Sequence, residues 1–292
     1  MRLFTGLLCA LAAPLLVAAE SATTPKYGAN AAAGHTFTHD GVELYYEIYG
    51  AGEPLLMIHG NGASIGSLAA QIAHFSERYR VIAMDSRDHG RSGDSAGKLT
   101  YETLTDDLAA LLTHLRVDRV DVLGWSDGGI EALLLGIRHP DKVRKLVAMA
   151  PNLNPTDEAL YPETNTFFAQ LMASMPPEER ATPAGQRAVK AMNMALTEPH
   201  IALDAIETIQ APTLIIVGDT DLVRTEHAVA IFEHLRNGAL AVLPNSTHAI
   251  PFDDPAYFNA TVERFLSTPF RKKDRLNDLM ASLQKAMAES AP

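Results

Sequence analysis

Short apolar runs alternate with segments of helical periodicity over most of the chain. Runs such as Leu55–Ile58 and Leu214–Val217 are apolar at every position, which is typical of strands buried on both faces. Strands are predicted at Pro54–His59, Arg80–Asp85, Arg119–Leu123, Lys145–Ala150, Thr213–Gly218 and Ala239–Leu243. Helical patterns occur at Ser67–Glu77, Tyr101–Leu115, Ile130–Arg138, Glu226–Leu235 and Pro255–Leu266. The alternation predicts an α/β fold with a mostly parallel sheet covered by helices on both faces, and functional groups at the carboxyl ends of the strands.

A hairpin is predicted before the first parallel strand. The runs His35–Asp40 and Val42–Tyr49 are rich in β-branched and aromatic residues, and Asp40-Gly41 between them is a strong turn signal. Residues 20–34, rich in Ala, Thr, Gly and Pro, are predicted to form a flexible leader ahead of this hairpin.

Residues 152–211 interrupt the alternation of strands and helices. They contain no convincing strand, but helical stretches near Asn165–Met175 and Gly185–Leu196 are punctuated by prolines. We interpret these residues as a helical cap inserted after the sixth strand, between the two parts of the core at 35–151 and 212–268. A cap in this position is expected to lie above the carboxyl ends of the strands.

The cap contains methionines that have two interpretations. Thioether side chains adapt readily to an acyl group, so these residues could line a substrate pocket, but packing of the cap against the core is the favoured interpretation for most of them. The four are Met172, Met175, Met192 and Met194. We assign Met172 and Met192 to substrate binding.

The N-terminus has the features of a signal peptide. Arg2 precedes an apolar run from Leu3 to Val17, and Val17-Ala18-Ala19 offers small residues before a cleavage point. We predict a signal peptide at 1–19 and export to the periplasm or the medium, with no stable membrane insertion after cleavage. Cys9, the single cysteine, lies inside this segment, so a mature chain would have no disulfide, no cysteine nucleophile and no thiolate metal site.

The C-terminal residues 269–292 form a separate amphipathic segment. One helical face carries the apolar residues Leu276, Leu279, Met280, Leu283 and Met287. The segment is predicted to dock either on its own domain or on a second subunit, which makes it a candidate element of a homodimer. The formal charge of −11 argues against nucleic acid and anionic membrane surfaces as partners.

The candidate nucleophile lies in the stretch Val120–Ile130. An apolar run ends at Leu123, glycines at 124, 128 and 129 surround Ser126, and a helical pattern follows, as a G-x-S-x-G nucleophile elbow requires. A second match at Gly62–Gly66 lies in a loop, where Ser64 is predicted to cap the next helix instead.

Ser126 requires a base and an acid that orients the base. In a sheet of this type the acid and then the histidine follow the serine along the chain. His248 follows the last predicted strand, from which it can reach the elbow, so we assign it as the base. Asp219 and Asp221 both follow the strand Thr213–Gly218; we favour Asp221 as the acid and assign Asp219 to tying the turn.

An oxyanion intermediate requires N–H donors. One is predicted to be the backbone of Asp127, the residue after the nucleophile, and the other the backbone of Asn61, in the loop after the first parallel strand. A hydrolytic site of this type requires neither a metal nor an organic cofactor.

These motifs together resemble those of the α/β-hydrolase superfamily over residues 35–266. The residues that carry the resemblance are the elbow, His59–Gly62, Asp85–Ser92, Gly218–Asp221 and His248. The resemblance implies an α/β-hydrolase fold and supports Asp221 as the triad acid. Asp85–Ser92 is expected to be a structural loop near the site.

The residue sequence of the elbow, Gly124–Ile130, is similar to that of the biphenyl hydrolase-like branch of the superfamily, which contains valacyclovir hydrolase. In that branch the acidic residue after the nucleophile is linked to binding a substrate α-amino group. The resemblance implies such a role for Asp127, and we assign Trp125 to substrate binding with it. Serine at position 126 argues against haloalkane dehalogenases and epoxide hydrolases, which use aspartate there.

The sequence therefore predicts an exported serine hydrolase that cleaves small carboxylic esters or lactones. Hydrolysis of carbon–carbon bonds, amide or aminopeptidase chemistry, and perhydrolysis are alternatives, because they use the same triad. A non-catalytic ligand-binding protein on a hydrolase fold is the alternative of a different class.

Overall fold

The computed structural model describes residues 25–289, so the predicted signal peptide and the first residues of the leader lie outside the described residues. Eight strands form one sheet in the order β1-β2-β4-β3-β5-β6-β7-β8. They are β1 (Gly34–His39), β2 (Val42–Tyr49), β3 (Glu53–Ile58), β4 (Tyr79–Met84), β5 (Val120–Trp125), β6 (Val143–Met149), β7 (Thr213–Thr220) and β8 (Gly238–Thr247). The β1–β2 and β2–β4 pairs are antiparallel, and the remaining pairs are parallel. The predicted α/β class, hairpin and mostly parallel sheet are confirmed.

Helices cover both faces of the sheet, as predicted. The helices of the core are α1 (Ala69–Phe75), α2 (Tyr101–His114), α3 (Asp127–Arg138), α8 (Thr225–His234), α9 (Ile250–Asp253) and α10 (Pro255–Ser267). Alternate strand residues point to opposite faces, so Leu56 and Ile58 pack with α2, α3 and α8, whereas Leu55 and Met57 pack with α1 and α10. This two-sided burial explains why the strands are apolar at every position.

The cap lies between β6 and β7, as predicted. It consists of α4 (Pro162–Ser174), α5 (Pro177–Arg180), α6 (Pro183–Thr197) and α7 (Leu203–Ile206). The cap is attached to the core by hydrogen bonds, among them Lys190 Nζ to Asp88 Oδ1 at 2.8 Å and Lys98 Nζ to Glu198 Oε1 at 2.7 Å. Helix α6 therefore faces the loop that contains Asp88.

The described part of the predicted flexible leader, residues 25–33, differs from that prediction. The buried Glu47 carboxylate of β2 accepts the N–H groups of Gly28 at 2.7 Å and Asn30 at 2.9 Å. Tyr27 also packs edge-on against Tyr49. A buried carboxylate must be satisfied, and the backbone of this segment supplies the donors, so these residues are held against the sheet.

The C-terminal helix α11 (Arg275–Glu289) has no buried residue. Its apolar side chains Leu276, Leu279 and Met280 are between 53% and 73% exposed, so the helix does not bury its apolar face on its own domain. None of the helices within residues 25–289 is both long enough and apolar enough to cross a membrane.

Candidate active site

The candidate nucleophile lies at the strained turn between β5 and α3. Ser126 has φ 58° and ψ −119°, a conformation that non-glycine residues rarely adopt. Its N–H donates to the Met149 carbonyl of β6 at 2.9 Å, and its carbonyl accepts from Gly129 at 2.7 Å. A Cβ on Gly124 would lie 1.9 Å from the Gly128 carbonyl oxygen, so the turn closes only with glycine at position 124.

The structure brings the side chains of Ser126, His248 and Asp221 into one hydrogen-bonded chain. His248 Nε2 lies 2.9 Å from Ser126 Oγ, and His248 Nδ1 lies 2.7 Å from Asp221 Oδ1. Asp221 is 7% exposed and also accepts the N–H groups of Gly218 at 3.1 Å and Val223 at 3.2 Å. A carboxylate held in this way keeps the His248 proton on Nδ1 and leaves Nε2 free to accept the Ser126 proton.

Asp219, the alternative acid, is placed elsewhere. Its carboxylate accepts the N–H groups of Asn245 at 2.8 Å and Ser246 at 3.0 Å, and these bonds lower the pKa of Asp219. The side chain thus ties the end of β7 to β8, and within residues 25–289 it forms no hydrogen bond or ion pair with His248. The geometry favours Asp221 over Asp219 as the partner of the histidine.

The loop after β3 carries the predicted second N–H donor. His59 holds this loop, because its Nδ1 donates to the Gly60 carbonyl at 2.8 Å and its Nε2 accepts the Ser86 N–H at 3.1 Å. Burial, together with the neighbouring His89, lowers the pKa of His59 to about 3, so the ring stays neutral and keeps Nε2 as an acceptor. The sequence marked His59 only as part of a motif.

Asp127 is the first residue of α3, where the helix provides no acceptor for its N–H. Its side chain is 7% exposed, and Oδ2 accepts a hydrogen bond of 2.8 Å from Asn61 Nδ2. Burial raises the pKa of Asp127, while the hydrogen bond from Asn61 and the neighbouring Tyr101 hydroxyl oppose the increase. Burial and the negative charge of Asp127 also raise the pKa of Glu131, one turn further along the helix.

Trp125, assigned to substrate binding from the sequence, contacts the loop that carries His248. Its Nε1–H donates to the His248 carbonyl at 3.0 Å, and its ring packs edge-on against Phe252 at 4.6 Å between centroids. These contacts fix the backbone of His248 relative to the elbow. Phe252 carried no signal in the sequence, because the contact spans two distant segments.

The methionines of the cap separate into two groups. Met172, Met175 and Met192 line a cavity of about 290 Å³ between α4 and α6, whose lining includes none of the three triad candidates. Met194 is 1% exposed and packs against Tyr101 and Leu104. Met194 therefore packs the cap against the core, which is the interpretation favoured for most of these residues.

The loop Asp85–Ser92 is structural, as expected. Asp85 accepts the N–H groups of Ile65 at 2.8 Å and Arg91 at 2.7 Å. Arg87 makes two hydrogen bonds to the fully buried Asp107, at 2.6 and 2.5 Å. Within residues 25–289 no group of His, Cys, Asp and Glu side chains is arranged to hold a metal ion.

Comparisons with known proteins agree with this architecture. A family model for the alpha/beta hydrolase fold matches residues 53–188. The fold and the family model show an α/β-hydrolase fold, and the chain is similar over most of its length to known hydrolases.

Individual relatives cover most of the chain. The serine hydrolase BPHL of Mus musculus is 28% identical over 244 residues, which covers 78% of this chain and 84% of that protein. The 3-oxoadipate enol-lactonase 2 of Acinetobacter baylyi is 26% identical over 262 residues, covering 78% and 94%. The crystal structure of MGS-M2, an alpha/beta hydrolase from a Medee basin deep-sea metagenome library, superposes with a TM-score of 0.72 at 20% identity and covers 83% and 100%.

Proposed function

We propose that the protein hydrolyses small carboxylic esters or lactones through an acyl-enzyme on Ser126. The observation that carries this proposal is the continuous chain of hydrogen bonds from Ser126 Oγ through His248 to Asp221, with donor–acceptor distances of 2.9 and 2.7 Å. The similarity to an enol-lactonase and to a serine hydrolase supports the same reaction class.

The geometry suggests the role of each side chain. Ser126 Oγ attacks the substrate carbonyl carbon as His248 Nε2 takes its proton, and the imidazolium then protonates the leaving oxygen. Asp221 holds the imidazole and stabilises its positive charge. Water, activated by the same Nε2, then adds to the acyl-enzyme, and the carboxylic acid leaves as Ser126 regains its proton.

The oxyanion of each tetrahedral intermediate requires donors close to Ser126. We assign the backbone N–H groups of Asn61 and Asp127 to this role. The Asp127 N–H lies at the N-terminus of α3, where the helix dipole favours negative charge. The Asn61 loop packs directly on the elbow, since a Cβ on Gly60 would lie 3.1 Å from Ser126 Cβ.

A burst assay with p-nitrophenyl esters tests this proposal. The wild type should release a burst of p-nitrophenol and become labelled by a fluorophosphonate, whereas Ser126→Ala should lose turnover by several orders of magnitude with an unchanged fold. Ser64→Ala, at the other G-x-S-x-G match, is the matched control and should behave as the wild type. Retained turnover in Ser126→Ala would refute the mechanism.

The same assay separates the alternative reactions. Values of kcat/KM for matched ester, lactone, amide and β-diketone substrates should be highest for an ester or lactone. A clear optimum for the amide or the β-diketone would move the assignment to the corresponding alternative. Tight ligand binding without any turnover would instead indicate a non-catalytic protein.

A further inference from the structure

The side chain of Asn61 connects three elements at the candidate active site. Asn61 Nδ2 donates to Asp127 Oδ2 of the elbow helix at 2.8 Å and to the Ala191 carbonyl of α6 at 2.9 Å. Both hydrogens of the amide nitrogen are thus used, and both partners are acceptors, which defines the orientation of the amide. The loop after β3, the elbow and the cap meet at this one side chain.

The loop that carries Asn61 needs such a restraint. Gly60 and Gly62 flank Asn61, and Gly62 has φ 63°, so the backbone on either side has the conformational freedom of glycine. His59 fixes the first residue of the loop through its bonds to Gly60 and Ser86. The next anchor along the loop is the Asn61 side chain, which holds the peptide whose N–H we assign to the oxyanion.

The carboxylate of Asp127 is already hydrogen-bonded to Asn61. It is 7% exposed, and its Oδ2 accepts the hydrogen bond from Asn61. A substrate ammonium group would have to compete with this donor and reach a carboxylate that solvent barely contacts. In this chain the side chain of Asp127 therefore binds Asn61 of the protein itself instead of a substrate group.

We propose that Asn61 is a positioning residue whose side chain, anchored by Asp127 and by the Ala191 carbonyl, holds the oxyanion loop, and that Asp127 acts as this anchor instead of binding a substrate amine. The proposal rests on the function proposed above. It implies that the enzyme takes neutral acyl groups and gains nothing from an α-amino group on the substrate.

The experiment compares two substrates that differ only in an amino group. The p-nitrophenyl esters of alanine and of propanoic acid are assayed with the wild type, Asn61→Ala, Asp127→Asn and the double variant, with kcat normalised to active sites titrated by the fluorophosphonate. Asn61→Ala keeps the backbone N–H and removes only the anchor. Asn193→Ala, an exposed position on the same helix α6, is the matched control.

The expected result is a decrease of about 10- to 100-fold in kcat for Asn61→Ala on both esters, with little change in KM, because a displaced oxyanion donor stabilises the transition state less. Asp127→Asn should lower kcat on both esters by a common factor. The double variant should be no slower than Asn61→Ala, since the two residues act through one bond. Asn193→Ala should match the wild type.

Two results would overturn the inference without affecting the proposed function. One is an Asn61→Ala enzyme with the kcat of the wild type. The other is an Asp127→Asn enzyme whose KM rises for the alanine ester alone, which would make Asp127 an amine receptor. If Asn61→Ala does not fold, Asn61→Ser provides the same comparison. A wild type with neither turnover nor labelling would instead refute the proposed function itself.

Discussion

Replacing Gly124 with alanine tests whether the closeness of the elbow backbone positions the nucleophile. A Cβ at this position would lie 1.9 Å from the Gly128 carbonyl oxygen, 2.3 Å from the Gly128 carbonyl carbon and 2.8 Å from the Gly129 nitrogen. All three are backbone atoms, so no side-chain rotation can relieve the clash. The strand β5 and the start of α3 must separate by about 1 Å to restore an acceptable contact.

The separation should have two measurable effects. Overpacking of a well-packed interior costs about 1–3 kcal/mol, and the added strain at Ser126 places Gly124→Ala at the upper end of this range. A displacement of about 1 Å at a reacting atom lowers the rate by about 10²-fold. The Ser126 Oγ–His248 Nε2 distance of 2.9 Å leaves no margin for such a shift.

Urea denaturation and the rate of fluorophosphonate labelling measure these effects on the same protein. Gly97→Ala is the matched control, because a Cβ there would meet no atom within 4 Å. If Gly124→Ala unfolds and reacts with the probe as the wild type does, the elbow can relax without cost. That result would refute the prediction that backbone contact at Gly124 positions Ser126.

Two further predictions concern buried ionisable groups. Asp107→Asn should lower the free energy of unfolding by about 3–5 kcal/mol, because it leaves the buried Arg87 without its counter-charge, whereas Asp106→Asn, in an exposed ion pair, should cost less than about 1 kcal/mol. Urea titrations of both variants decide this, and equal losses would contradict it. His227 is buried, and burial lowers its pKa to about 4; its neutral Nε2 accepts the Leu153 N–H. The folded state favours the neutral form of His227. The contribution of this site to the free energy of unfolding is therefore complete above the unfolded-state pKa and is lost as the pH falls towards 4. The wild type should lose about 2 kcal/mol from this site between about pH 7 and about pH 5. His227→Gln, which keeps an acceptor but does not titrate, should show a correspondingly smaller loss, and parallel pH profiles would refute the assignment.

Local patterns in the sequence were sufficient to predict the sheet, the order of its helices and the position of the candidate nucleophile. Strands buried on both faces require continuous apolar runs, and the elbow between β5 and α3 requires glycine where backbone atoms come too close for a Cβ. Both requirements concern residues that are close in sequence, so the local sequence pattern predicts them. His248 and Asp221 could be chosen for a related reason, because the carboxyl ends of parallel strands meet at one edge.

The hydrogen-bond partners of the polar side chains followed from the packing of distant elements, which no local pattern describes. The hydrogen bonds of Asn61 join residues 66 and 130 positions away, and no periodicity records such a pairing. The environments of the cap methionines also depend on tertiary packing. Met192 and Met194 lie on the same helix, yet Met192 lines a cavity and Met194 packs with Tyr101. A pattern of polar and apolar residues shows that a side chain will be buried or satisfied, but the neighbour that buries or satisfies it depends on how distant elements pack.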